Sequence, residues 1–428
     1  MLKKFIQIWK LKDLRKKIVF TFLLLILIRA LSHIPIPGVD ITALQDFFQR
    51  SRLFGLLDIF SGGTMSRFSI VMMGVGPYIN SSIIMQLLTH VIPQLEAMQK
   101  EGEDGRRKIN QIVRWLTVPL AFLQAYGMTI LLRSQGQGLV GAISPFEFFS
   151  VILITTAGTI LLMWLGELIT ENGIGNGTSL IITLGIVASL PSLVQSFGVG
   201  YLGVSSLLPI AGIILLSLVV IVAIIYTNEG SRLIPVSYAK RISGMRIYGG
   251  MDSFLPIKMN VAGVIPIIFA LSFMIFPNII SSFFANARTS FIADSAKFIG
   301  KVFSMSPPTI WYGLAYFVLV VAFTFFYTSV VFNPKEIAEN IQKQGGFIPG
   351  LRPGNQTAEY LGKIITRLTM SGALFLGIIA VLPLAFQVTY PSADVLIGGT
   401  SVLIMVGVIL ETSRQINAQI IMRSYDEY

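Results

Sequence analysis

The chain alternates long apolar runs with shorter polar connections, and the runs set its organisation. A helix needs roughly 20 apolar residues to cross the hydrocarbon core of a bilayer. Ten runs approach that length, over residues 18–34, 70–92, 115–132, 148–166, 178–195, 207–227, 259–280, 309–331, 368–387 and 395–410. The fifth, seventh and ninth contain Pro191, Pro266 with Pro277, and Pro383, and are expected to kink there. Ten spans with both ends on one side divide into five plus five, and an odd number forces the second half to enter the membrane inverted. The expected halves are residues 18–195 and 207–410, related by a pseudo-two-fold axis in the membrane plane with a crevice between them. That symmetry rests on span count, since no residue-level repeat is visible.

Composition removes the soluble alternative. The 428 residues are 54% apolar and 12% charged, with a mean hydropathy of +0.75, whereas soluble domains carry roughly 25% charge. The fold class expected is therefore an all-α polytopic membrane protein. Charge then supplies orientation. Residues 1–17 hold seven Lys and Arg; the loops 93–114, 228–258 and 332–367 hold five each and the tail 411–428 two. The opposite loops, 35–69, 133–147, 196–206 and 281–308, hold three, one, none and three. This asymmetry places both termini in the cytoplasm, in a cell inner (plasma) membrane. Leu2, Phe5, Ile6 and Trp9 share one face of an amphipathic helix over 1–17, suited to the anionic inner leaflet. With no small-residue cleavage site after Ile28, the first run reads as a retained span.

Chemistry-bearing groups are scarce. There is no Cys, and His33 and His90 are the two histidines, each near a span end and suited to interfacial hydrogen bonding. No metal site, cofactor motif or catalytic constellation is expected, so the chain does not read as an enzyme. Gly173-Ile174-Gly175-Asn176-Gly177 joins two membrane helices and reads as a tight connection rather than a dinucleotide loop. Arg29, in the outer half of the first span, reads as snorkelling to the interface.

Four segments remain unexplained by lipid contact. Residues 53–69 are too apolar for a free loop and too glycine-interrupted to span. They are either an interfacial loop packed on the bundle or half-inserted backbone lining a cavity. Residues 93–114 carry Lys100 to Lys108 as a mixed-charge turn. The loops 228–258 and 332–367 exceed 30 residues, a length that usually signals a task, and interleave basic residues with Tyr, Gly and Pro. Such surfaces suit phosphates or acidic protein faces.

At these segments the chain resembles the SecY family, the main subunits of bacterial protein-conducting channels, along essentially its whole length. The matching motifs are Ile34-Pro35-Ile36-Pro37-Gly38, Phe60-Ser61-Gly62-Gly63, Gly76-Pro77-Tyr78-Ile79, Glu101-Gly102-Glu103 with Gly105-Arg106-Arg107-Lys108, and Gly173 to Gly177. Tyr238-Ala239-Lys240-Arg241, Leu255-Pro256-Ile257-Lys258, Ala262-Gly263-Val264-Ile265-Pro266 and Gly345 to Gly354 complete the set. The resemblance implies a ten-helix clamshell with a pore between its halves. Unfolded secretory chains would cross through the pore, and hydrophobic segments would leave through a lateral gate. It implies a pore ring of Val75, Ile79, Ile182, Ile268 and Ile404, whose aliphatic side chains seal without binding. A short plug helix at 53–67 is implied in the first outer loop, including Leu57, Ile59, Phe60, Ser61, Gly62, Gly63 and Met65. Polar gate positions fall at Gln86, Gln124 and Asn260. Docking of the SecA ATPase or the ribosome, including its rRNA, falls to Arg106, Arg107, Lys240, Arg241, Arg246 and Arg352. Met245 stands where the family often has a second Arg. The implied partners are the small subunits SecE and SecG, SecA, the ribosome, signal sequences with nascent or secretory polypeptides, and membrane lipids. A different class of function, an inverted-repeat secondary transporter of a small solute, predicts polar groups at mid-membrane that the runs lack.

Overall fold

The computed structural model describes residues 11–37, 41–50, 58, 61–135, 144–200, 207–238, 241–243, 246–248, 253–284, 290–303, 309–389 and 399–426. They form two compact units, Met1–Leu202 with Val408–Tyr428, and Gly203–Gly407. Each apolar run falls on a helix, and the chain is mostly helical.

In the first unit these are α1 (Lys12–Leu31), α2 (Ile41–Arg50), α3 (Gly76–Val91), α4 (Pro93–Lys100), α5 (Glu103–Gln135), α6 (Pro145–Asn172) and α7 (Gly177–Gly200). In α6, Ser144 and Glu147 form a reciprocal capping box around Pro145, so two of the N–H groups at the helix start are satisfied. Its polar residues bond inward: the hydroxyls of Thr156 and Thr159 donate to the carbonyls of Ile152 and Thr155 at 2.7 and 3.1 Å. No water is then needed inside an apolar surrounding. The Gly173–Gly177 turn is a tight connection, as its composition predicts. Ile174 N–H donates to Thr21 Oγ1 at 3.1 Å and Gly175 N–H to Gln415 Oε1 at 2.6 Å, which fastens the α6–α7 corner to α1 and to the C-terminal helix.

The second unit begins with α8 (Leu207–Glu229) and continues through β1 (Ser231–Tyr238), β2 (Arg241–Ser243), β3 (Arg246–Tyr248) and β4 (Ser253–Lys258). Then follow α9 (Ile265–Phe284), α10 (Ser290–Val302), α11 (Ile310–Val331), α12 (Pro334–Lys343), β5 (Gly346–Phe347) and α13 (Asn355–Thr389). The last helix, α14 (Gly399–Asp426), starts in this unit and ends in the first. It runs through the residues expected to form a free tail.

The strands correct the all-α expectation. β1 pairs antiparallel with β4 from Ser231↔Lys258 to Val236↔Ser253, and with β5 through Ser237↔Phe347. β2 and β3 form a separate ladder. The two long polar segments are thus one folded body, with Ile234, Val236, Ile257, Ala338, Ile341, Ile348 and Leu361 buried in a shared apolar cluster. Two helix starts also move. Residues 70–75 are turns, and α3 begins at Gly76, just before Pro77; α9 begins at Ile265, just before Pro266. Proline is pre-set for a first turn, where its missing N–H costs nothing. Pro119, Pro191, Pro277 and Pro383 lie inside continuous helices.

Among the described residues, three helical stretches are long and apolar enough to cross a membrane: Pro145–Asn172, Ile310–Lys343, in which α11 runs on into α12, and Asn355–Ala385, within α13. Large apolar side chains such as Phe22, Leu215, Val222 and Val318 lie exposed on helices, which in quantity marks a surface bathed by lipid. Exposed Tyr226 and Trp311 lie within one turn of a helix end, where amphipathic rings favour the membrane interface. The chain is a multi-pass membrane protein.

Candidate functional site

The segment from Asp58 to Val75 organises the first unit. Ile36 N–H donates to Phe68 O at 2.8 Å and Ile70 N–H to Ile34 O at 3.0 Å, so the Ile34-Pro35-Ile36 motif pins the far end of the segment beside α1. Phe68, fully buried, takes a left-handed φ of 47°. Such a conformation is costly for an aromatic residue and persists only where neighbours impose it.

The near end is self-bonded. The Asp58 carboxylate accepts from Ser66 N–H at 2.9 Å and the Asp58 carbonyl from Gly63 N–H at 2.8 Å. The Ser61 hydroxyl donates to that carbonyl at 2.9 Å. Burial pushes the Asp58 carboxyl above its ordinary value, with the Ser66, Met65 and Ser61 donors opposing the shift. Gly62 and Gly63 have φ of 77° and 78°, open to glycine at little cost. They turn the chain out of helix, so the plug helix expected to reach residue 67 ends by Ser61. Met65 is half-buried in the turn. Leu57, Ile59 and Phe60 lie outside the described residues.

Arg29 also differs from expectation. Its Nη1 donates to Gly62 O at 2.9 Å and to Ser32 Oγ at 3.4 Å. The side chain therefore serves the 61–66 turn. A lone cation in a span was the signal for this; only the fold supplies its acceptor.

The ring positions each fall at the beginning of a helix. Val75 caps α3, and Ile79 lies one turn on, its N–H donating to Val75 O at 3.0 Å. Both, with Ile182 of α7, belong to the apolar cluster of Ile28, Val71, Leu162 and Ile169 in the first unit. Val75 and Ile182 also line a cavity of about 40 Å³ against Arg29, Ser61 and Gly62. In the second unit, half-buried Ile268 lies in the first turn of α9 and buried Ile404 lies early in α14.

Of the gate positions, Gln86 lies on α3 and Gln124 on α5, while Asn260 precedes α9 in the other unit. Asn260 is buried and its amide is committed locally. It donates to Asn228 Oδ1 at 2.9 Å and Gly263 O at 3.2 Å, and accepts from Gly263 N–H at 3.0 Å.

The docking residues share no single element. Arg106 and Arg107 are exposed in the first turn and a half of α5. Arg241 and Arg246 begin β2 and β3. Lys240 and Met245 lie outside the described residues. Arg352 is exposed at a turn between left-handed Gly350 and Gly354; buried Thr357 donates its hydroxyl to Arg352 O at 3.0 Å. An ion pair that sequence does not reveal, Arg114 to Glu167 at 2.9 Å, ties α5 to α6.

A family model described as SecY matches residues 69–413. The protein translocase subunit SecY of Halalkalibacterium halodurans is 44% identical over 429 residues, covering 98% of this chain and 97% of that one. Its counterpart in Streptomyces scabiei is 41% identical over 441 residues, with 100% of both chains covered. Among solved structures, a protein-conducting channel matches with a TM-score of 0.61 at 21% identity, covering 94% of this chain and 91% of that one. Sec61 in the canine ribosome–channel complex from the endoplasmic reticulum matches with a TM-score of 0.58 at 19% identity, over the same shares. The structural likenesses carry the fold, the sequence likenesses carry the lineage, and together they place the chain in the SecY family.

Proposed function

We propose that the chain is the central subunit of a protein translocation channel, conducting unfolded secretory polypeptides across a membrane and releasing hydrophobic segments sideways into lipid. The observation that carries this reading is full-length likeness to translocase subunits, joined to an apolar cluster holding Val75, Ile79 and Ile182 beside a self-bonded turn. An aliphatic constriction suits the task, because branched apolar side chains seal around any sequence without holding it, and a narrow apolar passage dewets.

In this reading the ten helices form an inverted clamshell. The five ring residues seal its pore, the segment around 53–67 is the plug, and Gln86, Gln124 and Asn260 tune lateral exit. Both termini and the folded body of 231–258 and 334–365 face the cytoplasm of a cell whose inner membrane holds the protein, as the Lys and Arg asymmetry supports. There Arg352, with Arg106, Arg107, Lys240, Arg241 and Arg246, docks the SecA ATPase or the ribosome, and SecE and SecG complete the channel. The chain performs no chemistry; its partners supply the energy.

Reconstitution with SecA, SecE, SecG and ATP tests this through protease protection of a secretory precursor. Protected, full-length precursor is expected. Its absence, together with saturable uptake of a small solute, would instead favour the secondary transporter.

A further inference from the structure

The channel reading leaves open what holds the 61–66 turn in place at rest. Internal bonds make this turn a unit. Asp58 gathers Ser61, Gly63 and Ser66, and the Thr64 hydroxyl donates to Ser61 O at 3.0 Å. A unit of this kind moves as a body, so its outward attachments decide where it rests. The Arg29 bond to Gly62 O, at 2.9 Å, reaches the turn from a residue 33 positions earlier in the chain. On the other side Gly62 meets α7 backbone to backbone: a Cβ added at Gly62 would lie 2.6 Å from Gly185 Cα. These two attachments converge on one residue, beside the cavity that Val75 and Ile182 also line. The chain that follows is tied to the turn through Thr64, whose hydroxyl donates to Met72 O at 3.3 Å and whose carbonyl accepts from Ser69 N–H at 3.0 Å.

We propose that Arg29 and the Gly62–Gly185 contact form a latch that seats the turn against the ring positions of the first unit, with Arg29 as its positioning residue. The proposal rests on the channel reading for its purpose, though not for its geometry. The chemistry suits a reversible hold. A guanidinium binds a carbonyl more firmly than a neutral donor does, yet forms no ion pair that would be costly to break. A glycine–glycine contact adds close packing without interlocking side chains.

Because the chain has no cysteine, one introduced thiol reports one site. Thr64 is 3% exposed, so Thr64→Cys in the reconstituted SecE- and SecG-containing complex should react slowly with a small polar maleimide at rest. Arg29→Met, which keeps the stem and removes the donor, should raise that rate roughly tenfold, the factor for losing one charge-assisted bond. Gly62→Ala should raise it as well, from the opposite attachment and with Arg29 intact. A thiol at Thr129, buried in α5 and outside the 61–66 turn, should keep its rate in both variants. Unchanged labelling at 64 overturns the latch, and so does equal acceleration at 64 and 129, which would mean general loosening. Precursor protection by the unaltered complex is scored separately. Its failure overturns the channel reading and leaves the labelling comparison intact.

Discussion

Asn260 offers a prediction in which two roles for one side chain give different readouts. Its amide makes three hydrogen bonds, to Asn228 and twice to Gly263, and is 8% exposed. Helix α13 packs closely against the turn it closes: a Cβ at Gly372 would lie 2.8 Å from Met259 O. Asn260→Leu keeps approximate volume and removes all three bonds, leaving Gly263 N–H without that acceptor. Net losses of about 1 kcal/mol for each bond come to ~3 kcal/mol. For a unit of this size that corresponds to a Tm lower by about 6–12 °C, measurable by thermal unfolding of the purified complex. Asn260→Asp should cost at least as much. It retains an acceptor for Gly263 N–H but turns a carboxylate oxygen towards the Asn228 and Gly263 acceptors. A leucine variant with unchanged Tm, yet with an altered hydrophobicity threshold for lateral release, would refute this reasoning and make Asn260 a gate residue alone.

Three further outcomes are expected. Arg352→Glu should abolish SecA-driven precursor transport at unchanged protein abundance. Thr357→Val, which removes only the hydroxyl steadying Arg352 O, should lower it a few-fold; normal transport in the Arg352 variant would end its docking role. Ile79→Gly should raise resting ion conductance in planar bilayers, and unchanged conductance there would count against its place in the ring. Since burial raises the Asp58 carboxyl in the folded turn, that turn binds a proton more readily folded than unfolded. Its stability is therefore fully present below the ordinary carboxylate value near 4 and declines as pH rises through the folded value. Labelling of Thr64→Cys, normalised to free cysteine, should slow on acidification, and Asp58→Asn should flatten that dependence. A slope unchanged by Asp58→Asn would remove Asp58 from the effect.

The helices were legible because lipid demands long apolar runs, and ten such runs were there to read. Two of their starts were missed: hydropathy extended the runs at 70 and 259 upstream into turns that are merely apolar, and Pro266 was read as a kink inside its span although the helix begins beside it, at Ile265. The sheet was not legible. Leu233-Ile234-Pro235-Val236 alternates in burial but not in polarity, Pro235 argues against a strand, and the partner β5 has two residues and lies four helices further on. Likewise Arg29 announced itself as an anomaly without naming its acceptor. A backbone carbonyl leaves no mark in sequence, and Gly62 reads as an ordinary turn glycine until α7 is placed against it. The ring positions show the opposite limit: Val75 and Ile182 are indistinguishable from packing residues by composition, and likeness to a family is what singled them out.

The pairing of β1 with β5 has a consequence for biosynthesis. Ser237 meets Phe347, and α9, α10, α11 and α12 all lie between them in the chain. Strand β1 therefore emerges early and keeps one edge unpaired while those helices are made and inserted, a long-range closure of the slow kind. Exposed strand edges invite mispairing. The three-stranded sheet can therefore close only after α12 and β5 have been made.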